Sequence, residues 1–385
     1  MLNTFLRHLI RLNLIAILGI VAYPRLNAQE PDAVNRPSTA KATTKSNKPA
    51  AGKAKPAKEA SNDGAEEEST KTPGIELIAP RKMEMKFGMH FYSNDNFCTD
   101  LFATVPFPLN WPEQTVTVLN SDIPVGAFLD RRDLPMGSKQ NALARQLLMR
   151  IPALGPNNQL DILVTVEIEK ALINAPEDTS VFVLPNPKKI SKELSFFVGK
   201  GSPYIDHELG EIKRVAKQIA SENPENAWAH VERIYDWVRD NIEYRKGGKI
   251  RQMRDALKDK KGDCEEMTGL FVALCRASNI PARCVWVPEH CYPEFYLEDQ
   301  QGDGHWFPCQ AAGERQFGQM HDYRPILQKG DRFKVPELAA PQRYVSEYFT
   351  CKQRPSRPQG LEPSVDPILD LGPLRAELDA LRQPE

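Results

Sequence analysis

The chain has 385 residues, of which 41% are apolar, with 50 basic and 51 acidic side chains and a formal net charge of −1. That length allows two folded domains plus tails. The near-cancelling charge provides no global field to draw in nucleic acid or an anionic membrane surface, so neither is an expected partner.

In chain order, Arg7 and Arg11 precede a mostly apolar run from Leu12 to Tyr23, followed by Pro24 and by Asn27-Ala28. A basic head, a short hydrophobic stretch and a small residue at the cut make residues 1–28 a secretory signal cleaved near Ala28. The run falls short of the roughly 20 apolar residues that span a bilayer. An uncleaved anchor stays open, because Leu26 is not the small residue preferred three positions before the cut. The protein is therefore expected to be exported, periplasmic or extracellular, and membrane-tethered only if the signal stays on. No later segment is long and apolar enough to be an integral membrane span. Residues 29–74 are rich in Lys, Ala and Pro, basic from Lys41 to Lys58 and acidic at Glu66 to Glu68. A tract with so little to bury cannot offset its ordering entropy and reads as a disordered linker.

Between residues 75 and 187 the period is two. Met83, Met85, Phe87, Met89 and Phe91 alternate with Glu84, Lys86, Gly88 and His90. Further strands are expected at 114–119, 146–151, 160–168 and 181–184, with turn chemistry at Asn157-Asn158 and Pro185-Asn186-Pro187. Short strands at this spacing predict a β-sandwich-like domain or a small barrel. His90 and Cys98 lie within it and are read as structural.

After Pro187 the period lengthens. Asp206 is positioned to cap a helix with Leu209, Ile212, Val215 and Ile219 on one face, ended by Pro224. A second helix, capped by Asn226, carries Trp228, Val231, Ile234, Tyr235, Val238 and Ile242 as a core stripe. A third begins at Gly262-Asp263-Cys264-Glu265-Glu266, where Asp263 and Glu266 have capping-box spacing, and Ile280-Pro281 ends it. Cys264 then sits in the first turn, where unpaired N–H groups and the helix dipole favour a thiolate. Glu265 and Glu266 oppose this if they point at the thiol. Extended segments follow at Arg283–Val287, Glu289–Leu297 and His305–Gln310, around a polar turn at 298–304. A helix-start thiol with a strand-borne imidazole, His290, is a nucleophile–base pairing. Cys284, His290, Cys291 and Cys309 do not make a zinc set, because His290 and Cys291 alternate across a strand and no Cys-x-x-Cys exists. Neither metal nor cofactor is expected. The segment 355–385 is a Pro-rich tail whose end, Leu371 to Leu381, has the pattern of one short amphipathic helix.

Gly262-Asp-Cys264-Glu-Glu, Cys275-Arg-Ala-Ser-Asn-Ile-Pro-Ala-Arg283, His290-Cys-Tyr-Pro-Glu294-Phe-Tyr and His305-Trp-Phe-Pro, in this order, resemble the core of the transglutaminase-like superfamily. The resemblance spans about 205–310 and includes Ile234-Tyr-Asp-Trp-Val-Arg-Asp-Asn-Ile-Glu-Tyr244. It implies an α+β fold, with a papain-like core of helices packed on an antiparallel sheet over 188–354, preceded by the β-sandwich-like domain. It also implies a Cys–His–Asp triad with Cys264 as nucleophile and His290 as base. The third position departs, since Gln310 stands where the family commonly has Asp. A Gln oxygen can accept the imidazole N–H and fix its tautomer, but it brings no charge. Asp299 or Asp303 from the turn is the lesser candidate for that role. If His290 and Gln310 face each other across antiparallel strands, Cys291 and Cys309 face each other on the opposite side. A disulfide there and two buried free thiols are both compatible with that register. The expected activity is a thiol attack on a peptide or carboxamide bond of a protein or peptide substrate, with hydrolysis favoured over amine transfer. The alternative is a non-catalytic binding or scaffold module, and association with the cell envelope stays open.

Overall fold

The structure is a computed structural model that describes residues 74–135, 142–199, 201–247, 250–356 and 361–380. The expected signal and all but the last residue of the expected linker lie outside the described residues. Six strands come first: β1 (Glu76–Tyr92), β2 (Asn96–Phe107), β3 (Gln114–Asp122), β4 (Phe128–Pro135), β5 (Ala142–Leu154) and β6 (Gln159–Asn174). The alternation seen around Met83 to Phe91 places all five apolar side chains in the core. β2 and β4 carry no such signal. Much of β2 is covered on both sides, which erases the period of two, and β4 is dominated by Asp and Arg.

The helical part contains α1 (Gly210–Ser221), α2 (Ala227–Asn241), a two-residue strand β7 (Glu243–Tyr244), α3 (Met253–Asp259), β8 (Lys261–Gly262) and α4 (Cys264–Ala277). Asn226 caps α2 as expected, its Oδ1 accepting from Ala229 N at 2.9 Å. Asp206 does not cap α1. It accepts from Glu208 N at 3.1 Å in a turn, and the helix starts after Leu209. The chain continues through β9 (Ala282–Val287), β10 (His290–Glu298), β11 (Gly304–Pro308), β12 (Gln328–Lys329), β13 (Tyr348–Pro355), β14 (Ser364–Asp370) and α5 (Leu374–Ala380). The stretch Val181–Leu184 is not a strand. Only Val183 pairs, with Glu298, and Pro185 and Pro187 beyond it have no N–H with which to extend a ladder.

Among the described residues one sheet runs β14-β1-β6-β3 and another β11-β10-β9-β12-β5-β2-β13, with β4 beside β5. The first sheet packs on the β5–β2 end of the second, burying Met85, Phe87, Phe91, Phe107 and Val164 between them. This is the sandwich, and it shares a continuous sheet with the papain-like part through β12. The Pro-rich C-terminal segment belongs to it too. β14 pairs antiparallel with β1 as an edge strand, where Pro367 is tolerated because an edge N–H has no ladder partner to lose. The helix α5 buries Leu374 and Leu378 over the same core.

The fold is thus α+β. On the β9–β10–β11 end, α4 is the central helix, buried from Glu266 to Arg276 and packed against β9, β10, α1 and α2. Its C-terminal end is fixed by Arg276, which makes a two-pronged pair with Asp331 at 2.6 and 3.0 Å and donates to Ala282 O at 2.9 Å. Both side chains of that pair are fully shielded from water.

Candidate active site

The start of α4 is built as its sequence dictates. Asp263 Oδ1 accepts from Glu265 N at 2.9 Å and from Glu266 N at 3.4 Å, and Glu266 Oε2 accepts from Asp263 N at 2.8 Å, which closes a capping box. Gly262 makes this possible, because a Cβ there would lie 2.8 Å from Glu266 Cβ. Cys264 is consequently the first helical residue, partly open to solvent. Both neighbouring glutamates have partners of their own. Glu265 is ion-paired with Arg343. Glu266 is drawn into the box and also accepts from Arg251 N at 2.8 Å, and its carboxyl is pushed up to about 7 by burial and by its hydrogen bond with Asp263.

His290 opens β10. Its Nε2 lies 2.7 Å from Gln310 Oε1. The oxygen can only accept, so Nε2 carries the proton and Nδ1 is left to engage a thiol. His290 and Gln310 are not directly opposite each other. The β10–β11 register pairs Phe295 with Phe307 and Glu294 with Pro308, two residues away from direct opposition of 290 and 310. They are diagonal neighbours, and a long glutamine spans that gap.

The same register corrects the expected cysteine pairing. Cys309 N bonds to Pro293 O at 3.0 Å, so Cys309 sits across from Pro293 and not from Cys291; all seven cysteines are free thiols. Cys291 instead turns to the start of α4, where its Sγ lies 3.6 Å from Cys264 O, while Thr268 Oγ1 bonds Cys291 O at 3.3 Å. Asp299 is engaged elsewhere. Asp299 Oδ2 pairs with His305 Nε2 at 2.9 Å, and its Oδ1 accepts from Asp303 N in closing the turn.

Gln310 is held by residues whose role the sequence did not reveal. The Tyr235 hydroxyl donates to Gln310 O at 2.8 Å and accepts from Gln316 N at 3.1 Å, and Arg239 Nη1 reaches the same carbonyl at 3.1 Å. Tyr235 is in the expected apolar stripe of α2, and its ring is core; only the hydroxyl at its tip reaches the site. Asp322 is a second acid that the sequence did not single out. Burial pushes its carboxyl up, but Arg324, together with the nearby His290, outweighs that and holds it below the usual range.

Of the seven cysteines, Cys264 alone has a thiol held below its ordinary value, and far below it. The largest cause is a hydrogen bond from Cys291. Burial opposes it, the hydrogen bond and charge of His290 add to it, and Asp263 pushes the other way. Burial drives Cys98, Cys275, Cys284, Cys291 and Cys309 upward, and Cys351 to about 11. One thiol is therefore held low, beside an imidazole whose Nε2–H is directed at Gln310.

Residues 213–311 match the transglutaminase-like superfamily. The matched stretch begins in α1 and ends just past Gln310, taking in Cys264 and His290. Among solved structures, a candidate cysteine protease from Cytophaga hutchinsonii is 14% identical, with 76% of this chain and 100% of that one covered and a TM-score of 0.48. The periplasmic domain of TgpA from Pseudomonas aeruginosa is 16% identical, covering 63% of this chain and 94% of that one at a TM-score of 0.27. Likenesses this weak carry no argument about chemistry. No curated protein matches the chain.

Proposed function

We propose that this protein is an exported thiol hydrolase of the transglutaminase-like kind, acting on peptide or carboxamide bonds. The observation that carries the reading is the depressed Cys264 thiol beside an imidazole whose far nitrogen is held by Gln310 at 2.7 Å. In this reading Cys264 Sγ attacks the carbonyl carbon. His290 Nδ1 holds the thiol proton and delivers it to the leaving amine. The capping box takes the N–H groups of Asp263, Glu265 and Glu266, which leaves the Cys264 N–H at the open helix end as a donor for the oxyanion. Water then attacks the acyl-enzyme. An amine in place of water would give cross-linking by the same residues. Export rests on the N-terminal sequence pattern, and among the described residues no helix is long and apolar enough to cross a membrane.

One observation favours a second reading, a non-catalytic binding module: an amide, not a carboxylate, faces His290. The two are separated by incubating the protein with a peptide library and a primary-amine tracer. Hydrolysis predicts new peptide termini that vanish in Cys264→Ala; amine transfer predicts tracer adducts. Neither product, in protein whose fold is verified, supports the binding module.

A further inference from the structure

The mechanism uses Cys264 and His290, yet a second thiol stands at the same spot. Cys291 follows His290 on β10 and also reaches the start of α4. Cys291 is 1% exposed and joins the core that α4 packs on, whereas Tyr292 joins the core on the far face. This aims the Cys291 thiol at the first residue of α4. Its Sγ lies 3.6 Å from Cys264 O, and the two thiols share a hydrogen bond. The strand cannot drift from the helix at this point, because Thr268, one turn into α4, bonds Cys291 O at 3.3 Å.

We propose that Cys264 and Cys291 form a reversible disulfide that switches the enzyme off under oxidation by hydroperoxides. The proposal rests on Cys264 being the nucleophile. The Cys264 thiolate attacks hydrogen peroxide, the O–O bond breaks, and a Cys264 sulfenic acid and hydroxide result. The Cys291 sulfur then attacks the Cys264 sulfur, the S–O bond breaks, and the hydroxyl leaves as water with the Cys291 proton. The two thiols lose two electrons in all, and peroxide takes them. A dithiol reductant reverses the bond by exchange. The partly exposed Cys264 meets the oxidant, and the buried Cys291 resolves it from within. This arrangement spares Cys264 the irreversible step to sulfinic acid. A protein working outside the cytoplasm meets such oxidants without a glutathione pool to reverse overoxidation.

The test uses the full chain, reduced, then treated with a small excess of hydrogen peroxide and mapped by peptide mass. The expected result is a linked peptide joining Cys264 and Cys291. Iodoacetamide labelling of Cys264 should fall about tenfold or more and return after dithiothreitol. Mapping is needed because Cys98 and Cys351 also share a hydrogen bond and could oxidise on their own. In Cys291→Ser and, separately, Cys291→Ala, the same treatment should carry Cys264 to a sulfinic acid that dithiothreitol does not reverse. The switch is overturned if wild type shows no linked peptide and overoxidises like the variants, even when reduced Cys264 alkylates fast. Slow alkylation of reduced Cys264 overturns the nucleophile reading instead, whatever the linked peptide shows.

Discussion

The carboxyl of Glu266 couples the start of α4 to pH, and the size of the coupling can be worked out. Its side chain is 3% exposed, and burial with the Asp263 hydrogen bond lifts it from an ordinary 4.5 to about 7. In the folded protein it keeps its proton through a pH range in which the unfolded chain has released it. That preference stabilises the fold fully below pH 4.5 and is lost as pH climbs through 7. A difference of two to three pK units corresponds to about 3 kcal/mol at most. The Glu266→Gln variant cannot titrate, though its amide satisfies only one of the two N–H donors and costs about 1 kcal/mol outright. Urea unfolding followed by tryptophan fluorescence at pH 5, 6, 7 and 8 should show wild type losing about 3 kcal/mol relative to the variant as pH rises. Titrations of groups that do not touch Glu266 cancel in that difference. Stability curves that stay parallel from pH 5 to 8 would refute the assignment of a raised carboxyl to the capping box.

Further outcomes follow from the packing and the site. Arg276→Met strands Asp331 in a place no water reaches and should cost about 3–5 kcal/mol in chemical denaturation. Arg315→Ala breaks a half-exposed pair with Glu232 and Asp236 and should cost under about 1 kcal/mol. Gln310→Leu removes the acceptor for His290 Nε2–H and should slow Cys264 alkylation about tenfold or more at neutral pH, from a loss of 1.5–3 kcal/mol in a bond to a charged ring. Gln310→Glu, of the same reach, should restore or exceed the wild-type rate. Tyr235→Phe, which frees the Gln310 carbonyl, should slow alkylation a few-fold without touching either reacting group.

The site was legible in the sequence where its parts are local. Asp263 and Glu266 stand three apart, so the cap, the helix start and the place of Cys264 could all be read from five consecutive residues. The resemblance selected His290 and Gln310, and the structure sets the two 2.7 Å apart. What failed was long-range. Direct opposition of 290 and 310 was the simplest register, but the β10–β11 pairing lies two residues away from it. That small shift turned an expected Cys291–Cys309 pair into a Cys291–Cys264 contact. Similarly, nothing in a Pro-rich tail signals that Ser364–Asp370 will edge the first sheet, because its partner β1 lies some 280 residues earlier. The continuity of the two halves hangs on Gln328 and Lys329, a strand too short to leave a period. The Tyr235 hydroxyl was hidden for another reason: an aromatic residue in a helical stripe reads as core, and its ring is core.

The central claim is that Cys264 is an activated thiol. Its alkylation rate by iodoacetamide, followed by peptide mapping between pH 5 and 9 in wild type and in His290→Ala, tests it most directly. The account predicts fast labelling of Cys264 that persists well below the ordinary thiol value of 9.0, slow labelling of Cys351 at every pH, and a marked loss in the variant. A Cys264 rate that rises only toward pH 9, as for a free thiol, and that His290→Ala leaves unchanged would contradict it.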